Sequence, residues 1–115
     1  MDFDIIIAGA GPAGLSIAAE LSKHFKVMIF DRRKIPFTTA AWFTYSERVK
    51  KHGLEKAVIN KCDSLVYIAK NVSNTMMDDI AILNSNKVLK IWHDKAKKNH
   101  ITTKQLSLNY YKKMR

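Results

Sequence analysis

Apolar residues fall along the chain in short blocks of two kinds, nearly continuous runs and stripes of helical period. Residues 3 to 8 are almost all apolar, the pattern of a strand covered on both faces in a parallel sheet, and Asp2 to Ala8 is assigned to it. Pro12 to Lys23 reads as a helix with Leu15, Ala18, Ala19 and Ser22 on one stripe and Glu20 and Lys23 toward water. Lys26 to Asp31 is a second apolar strand, ending on a carboxylate. Arg32 to Phe37 is an irregular link, since Pro36 disfavours helix before it. Residues 40 to 51 are expected to be helical, capped by Thr38 or Thr39, carrying Trp42, Phe43, Tyr45 and Val49 and stopping at Gly53. Leu54 to Asn60 is expected to begin another helical turn. Ser64 to Lys70 and Met76 to Leu83 flank a polar stretch and read as a hairpin within 64–84. A helix over 87–99, capped by Asn84, Ser85 or Asn86, places Val88, Leu89, Trp92 and Ala96 on one side. Ile101 to Leu106 is the last strand, and residues 105–115 form a tail with no assigned element.

The first three elements carry the chemistry. Strand, glycine-rich turn, helix, strand and terminal carboxylate follow in the order of a βαβ nucleotide-binding unit over residues 1–34. Gly9 allows a sharp turn after the strand. Gly11 removes a Cβ so that a pyrophosphate can approach the backbone, and Gly14 lets helix and strand pack closely. The helix start at Pro12 and Ala13 offers unpaired N–H groups and a positive dipole end, and Pro12 loses nothing there because its N–H is not needed. Asp31, 22 residues after Gly9, is placed to accept hydrogen bonds from ribose hydroxyls. Its charge favours a free 2′-hydroxyl over a 2′-phosphate, while Arg32 and Arg33 beside it act the other way.

On these residues the chain resembles the glutathione-reductase-type FAD-binding superfamily. The pattern runs through Gly9, Gly11, Gly14, Ala18, Val27 and Asp31, and the nearer likeness is to the geranylgeranyl reductase, lycopene cyclase and aromatic hydroxylase branch. His24 stands where the family commonly has a glycine before the second strand. Residues 79–84, 87–92 and Ala96 are similar to a family strand and helix near the flavin, with Lys87 the counterpart of an early basic residue. Trp42 to Val58 is similar to the helical excursion that follows the second strand. The resemblance implies an α/β fold, a Rossmann-like FAD/NAD(P)-binding three-layer architecture, truncated, with the beginning of a second small sheet. It implies FAD rather than free NAD as cofactor, NAD being the alternative, with the ADP moiety held by Gly9, Gly11, Pro12, Ala13, Gly14, Asp31, Arg32 and Lys87. It also implies a partial domain over 1–115, because the family's distal Gly-Asp segment and most of its substrate domain have no counterpart here.

Composition narrows the reading. The 115 residues suit one domain, and 47% hydrophobic content supports a modest core. Net charge is +10, and residues 86–115 hold nine Lys or Arg against Asp94 alone. Such a balance attracts anionic surfaces. No nucleic-acid motif accompanies the lysines, so no specific nucleic-acid partner is expected and peripheral contact with an anionic membrane stays open. Cys62, the one cysteine, excludes an internal disulfide and a clustered thiolate site, and is expected to be a buried thiol. The aspartates at 2 and 4 do not suit a signal peptide, and the expected location is cytoplasmic.

No catalytic acid, base or nucleophile is identified. His24, His52, His93 and His100 are dispersed without metal-ligand spacing, so no metal is expected. Asp78 and Asp79 are adjacent and on a strand would face opposite ways. Three functional classes follow: the amino-terminal portion of an FAD-dependent oxidoreductase, with another polypeptide to complete its site; a non-catalytic adenine-dinucleotide-binding module or inactive remnant; or a basic surface protein with a vestigial nucleotide fold. Uncovered sheet edges and apolar helix faces lead to an expectation of self-association or marginal stability.

Overall fold

A computed structural model describes residues 2–106, in two compact units. One comprises residues up to Thr38 together with those from Leu89 onward, and the other spans Thr39–Val88. The fold is α/β and Rossmann-like, with a central parallel sheet and a second sheet.

In the first unit the strands are β1 (Ile5–Ala8), β2 (Val27–Asp31) and β6 (Thr102–Gln105), in the order β1-β2-β6. All pair in parallel, with Ile5 opposite Val27 and Asp31 opposite Gln105. The right connection for parallel neighbours is a helical crossover, supplied here by α1 (Pro12–Leu21). Its apolar stripe is buried: Leu15 and Ala18 are fully enclosed, with Ala19 and Ser22 nearly so. Small residues at 14, 18 and 19 let the helix lie close to the sheet. Both ends of the β1–β2 pair are tied by carboxylates. Asp4 Oδ2 accepts the Lys26 N–H at 2.8 Å at one end, and Asp31 Oδ2 accepts the Ala10 N–H at 2.8 Å at the other.

The expectation that β1 is covered on both faces does not hold. Its burial alternates, and Ile6 is 43% exposed. Apolar content alone does not distinguish a doubly covered strand from one with an exposed apolar side. The strand also begins three residues later than read, and α1 ends two residues earlier.

The second unit is an antiparallel sheet of β3 (Trp42–Tyr45), β4 (Val58–Ala69) and β5 (Val72–Leu83), in the order β3-β5-β4, with a short helix. Trp42–Tyr45, read as the front of a helix, is strand β3, paired antiparallel with residues 80–83. Only Ser46–Lys51 is helical, as α2. Aromatic and Thr residues at 42–45 prefer an extended backbone, and the partner that pays out that preference lies some forty residues away in sequence. The helix stops as expected at Gly53: φ there is +65°, the Leu54 N–H reaches the Val49 carbonyl, and the Gly53 N–H reaches that of Lys50.

The helical turn expected over 54–60 ends at Ala57 as a 3₁₀ turn, Glu55–Ala57, and Val58 starts strand β4. Strands β4 (Val58–Ala69) and β5 (Val72–Leu83) are each twelve residues long and joined at Lys70 and Asn71, so the polar stretch read as a loop belongs to the ladder. Ser73 to Thr75 pair with Val66 to Ile68, and main-chain hydrogen bonding holds polar residues in a strand that their side chains do not favour. The core of this unit is Val49, Leu54, Ala57, Ile80, Ala81 and Leu83.

Helix α3 runs Ser85–Lys97, displaced two residues from the expected 87–99. Asn84 is its cap, its Oδ1 accepting the Lys87 N–H at 3.1 Å. Val88, Leu89 and Ala96 are buried, Trp92 is half-buried, and His93 joins the buried set. The tail expected at 105–115 lies outside the described residues beyond Leu106.

Candidate functional site

The glycine turn stands between β1 and α1. Gly9 has φ +103°, a conformation that disfavours any side chain, and its N–H is bound by the Phe30 carbonyl at 2.8 Å. This bond anchors the start of the turn to β2. Gly14 meets the same turn from the helix side. A Cβ on it would overlap the Gly9 carbonyl oxygen, lie 3.0 Å from the carbonyl carbon and 3.4 Å from Ile7 Cγ2. Close helix–strand approach therefore requires glycine at 14.

Gly11 is different. It is the residue before the first helical turn, with φ −76° and ψ −168°, and a Cβ there would meet nothing within 4 Å. Packing does not demand glycine at this position; the space beside its backbone is open. The N–H groups of Gly11, Ala13 and Gly14 have no protein acceptor among the described residues, whereas the Leu15 N–H closes the first helical bond to the Gly11 carbonyl. Pro12 occupies the first helical position and brings no donor. Free donors, the positive end of α1 and open space together suit a diphosphate.

Asp31 closes the site. Its carboxylate accepts the Ala10 N–H at Oδ2 and the Arg33 N–H at Oδ1, both at 2.8 Å. Partial burial pushes its pKa up, but the two backbone N–H bonds and the charges of Arg33 and Arg32 outweigh this and hold it below the ordinary aspartate value. An ionised carboxylate has room for about four hydrogen bonds, so about two sites stay available for sugar hydroxyls. Arg32 is exposed, and its carbonyl accepts the Gln105 Nε2 at 3.3 Å.

The structure thus brings Gly9, Gly11, Pro12, Ala13, Gly14, Asp31 and Arg32 into the first unit. Lys87 belongs to the second, exposed near the start of α3. Sequence reading missed the parts played by Ala10 and Arg33, because both act through backbone N–H groups that carry no residue-type signature.

Elsewhere the described residues hold no group of three His, Cys, Asp or Glu poised for a metal. Asp78 and Asp79, expected on opposite faces, both line an open depression with Lys61, Cys62 and Asp63. The cause is a break in register between Cys62 and Ser64, which interrupts strand alternation. Ser46 Oγ donates to Asp79 Oδ1 at 2.7 Å, so that carboxylate is partnered. Cys62, expected buried, is half-buried and free. His93 is buried with Nε2 unpartnered, and that desolvation, reinforced by Lys97 and only partly opposed by Asp94, lowers its pKa. No described helix is long and apolar enough to cross a membrane.

Comparison with known proteins follows the same lines. L-aspartate oxidase from Acinetobacter baylyi is 36% identical over 75 residues, which are 65% of this chain and 12% of that protein. Protein HOTHEAD from Arabidopsis thaliana is 45% identical over 38 residues, 33% of this chain and 6% of its own. Among solved structures, a geranylgeranyl bacteriochlorophyll reductase-like protein from Thermoplasma acidophilum superposes with a TM-score of 0.68 at 14% identity, over 88% of this chain and 29% of that one. The flavin-dependent brominase Bmp2 gives 0.66 at 14% identity, over 90% and 29%. The halogenase PltM in complex with phloroglucinol and FAD gives 0.63 at 16%, over 90% and 28%. These likenesses show the fold, and this chain spans less than a third of each neighbour. The family model for the NAD(P)-binding Rossmann-like domain matches residues 7–65, just over half of the chain and the whole of the glycine turn and Asp31. The chain belongs to the NAD(P)-binding Rossmann-like domain family.

Proposed function

We propose that this chain binds the ADP moiety of FAD as the amino-terminal portion of an FAD-dependent oxidoreductase, nearest in kind to the geranylgeranyl reductase branch. The observation that carries the reading is the open space at Gly11, where N–H groups of the α1 start have no protein acceptor among the described residues and Asp31 is hydrogen-bonded to the same turn. Gly11, Ala13 and Gly14 would bind the diphosphate and Asp31 the ribose, with Arg32 contributing positive charge nearby. When bound, FAD supplies the acceptor for a hydride or electrons; the chain's own residues bind and orient it.

Isothermal titration of the full chain with ADP and FAD, alongside the visible spectrum of freshly purified protein, tests this. Binding of both ligands is expected, and failure to bind either overturns it. A second reading, a non-catalytic adenine-dinucleotide module with NAD as the alternative ligand, draws on the match of residues 7–65 to an NAD(P)-binding family model. Turnover with an electron donor separates the two. Self-association through uncovered sheet edges and apolar faces belongs to the same proposal. A cytoplasmic location, with lysine-mediated contact to anionic lipid, belongs to the same proposal.

A further inference from the structure

Resting on the ADP reading above, we propose that Asp31 is a positioning residue for the phosphate-binding turn, in addition to an acceptor for ribose hydroxyls. Ala10 lies between Gly9 and Gly11, is 4% exposed, and its N–H is taken by Asp31 Oδ2 at 2.8 Å. The glycines on either side have no side chains with which to hold the peptide. What fixes the turn is therefore backbone bonding: Gly9 N–H to the Phe30 carbonyl, Leu15 N–H to the Gly11 carbonyl, and Ala10 N–H to Asp31. The carboxylate is itself held, because Oδ1 accepts the Arg33 N–H at 2.8 Å. Turn and carboxylate orient each other before a ligand arrives, which lowers the ordering cost of binding.

Inorganic pyrophosphate separates the two roles, because it has phosphates and no ribose. If Asp31 serves the sugar alone, removing its negative charge leaves pyrophosphate binding unchanged or tighter. If it braces the turn, its removal weakens that binding. Asp31→Asn keeps the size but replaces one acceptor oxygen by a donor, which must face one of two N–H groups. Asp4→Asn is the charge control: it removes a carboxylate charge at the other end of the same strand pair, while its amide oxygen can still accept the Lys26 N–H.

The test uses the full chain and its variants, with titration by pyrophosphate and ADP and with amide exchange at Ala10. Asp31→Asn is expected to bind pyrophosphate about tenfold more weakly and to exchange the Ala10 amide about tenfold faster, the effect of losing one charge-assisted bond. Asp4→Asn is expected to match wild type in both. Unchanged or tighter pyrophosphate binding by Asp31→Asn, or an equal loss in Asp4→Asn, overturns the proposal. Should Asp31→Asn not fold, Asp31→Glu keeps both acceptor oxygens, and Ala10 exchange is expected within about threefold of wild type. Exchange tenfold faster or more in that variant overturns the brace. If wild type binds neither pyrophosphate nor ADP, the ADP reading fails, while Ala10 exchange in the ligand-free protein still decides the brace.

Discussion

Alanine at Gly14 and at Gly11 should have opposite consequences, although the residues lie three apart in one turn. At Gly14 the new Cβ overlaps the Gly9 carbonyl oxygen, and the obstacle is backbone that cannot rotate away. Relief requires α1 to move off β1, disturbing Leu15 and Ala18, both fully buried. Overpacking of this kind costs about 1–3 kcal/mol, and alanine in a helix returns up to about 1 kcal/mol. A net loss of about 1–2 kcal/mol is expected, which with a urea slope of about 2 kcal/mol per molar lowers the midpoint by about 0.5–1 M. At Gly11 the Cβ enters open space at an ordinary φ. Alanine is a poorer residue than glycine before a helix, but it restricts the unfolded chain, and the two effects offset to within about 1 kcal/mol. Gly11→Ala should keep its urea midpoint and lose at least about tenfold in ADP affinity, or about 1.4 kcal/mol, because the methyl group stands where the diphosphate approaches. Urea denaturation followed by circular dichroism, paired with ADP titration, measures both. The reasoning is refuted if Gly14→Ala is as stable as wild type, or if Gly11→Ala binds ADP as wild type does.

Three further outcomes are expected. Leu15→Ala should cost about 2–5 kcal/mol in a denaturation midpoint, since this side chain is fully enclosed between α1 and the sheet. His93 has a lowered pKa in the folded state, so the unfolded chain takes up the proton first; stability is complete above the ordinary histidine value of about 6.5 and declines as pH falls below it. His93→Gln should flatten the melting-temperature profile on the acid side of about pH 6.5, the other three histidines being exposed, and an unchanged slope there would refute the assignment. The β4–β5 hairpin exposes Val66, Ile68 (82% exposed), Val72 and Met77. Ile68→Lys should change stability by no more than about 0.5 kcal/mol yet reduce concentration-dependent light scattering, and equal scattering would count against association through this hairpin.

Legibility in the sequence followed how far apart the deciding groups lie. The turn from Gly9 to Gly14 and the buried stripe of α1 were readable, since each depends on neighbours within one or two helical turns. The cap of α3 is narrowed by the sequence to Asn84, Ser85 or Asn86 for the same reason, and the structure picks Asn84. Residues 42–45 were misread because aromatic residues at helical spacing also suit a strand, and only pairing with Ile80 to Leu83 settles the choice. The polar residues 73–75 gave no strand signal, yet their partners at 66–68 hold them extended. Asp78 and Asp79 were separated by strand alternation on paper and brought to one depression by a register break that no local rule contains.

From its own order of residues the chain determined a βαβ unit with a glycine turn and a carboxylate closing its second strand, because glycine, proline and apolar periodicity act through local sterics. Tertiary structure alone decided which backbone N–H groups that carboxylate holds, that Gly11 is left open while Gly14 is closely packed, and that the second sheet takes in residues 42–45. Those outcomes depend on contacts between segments distant in sequence, whose energies are set only when the strands meet.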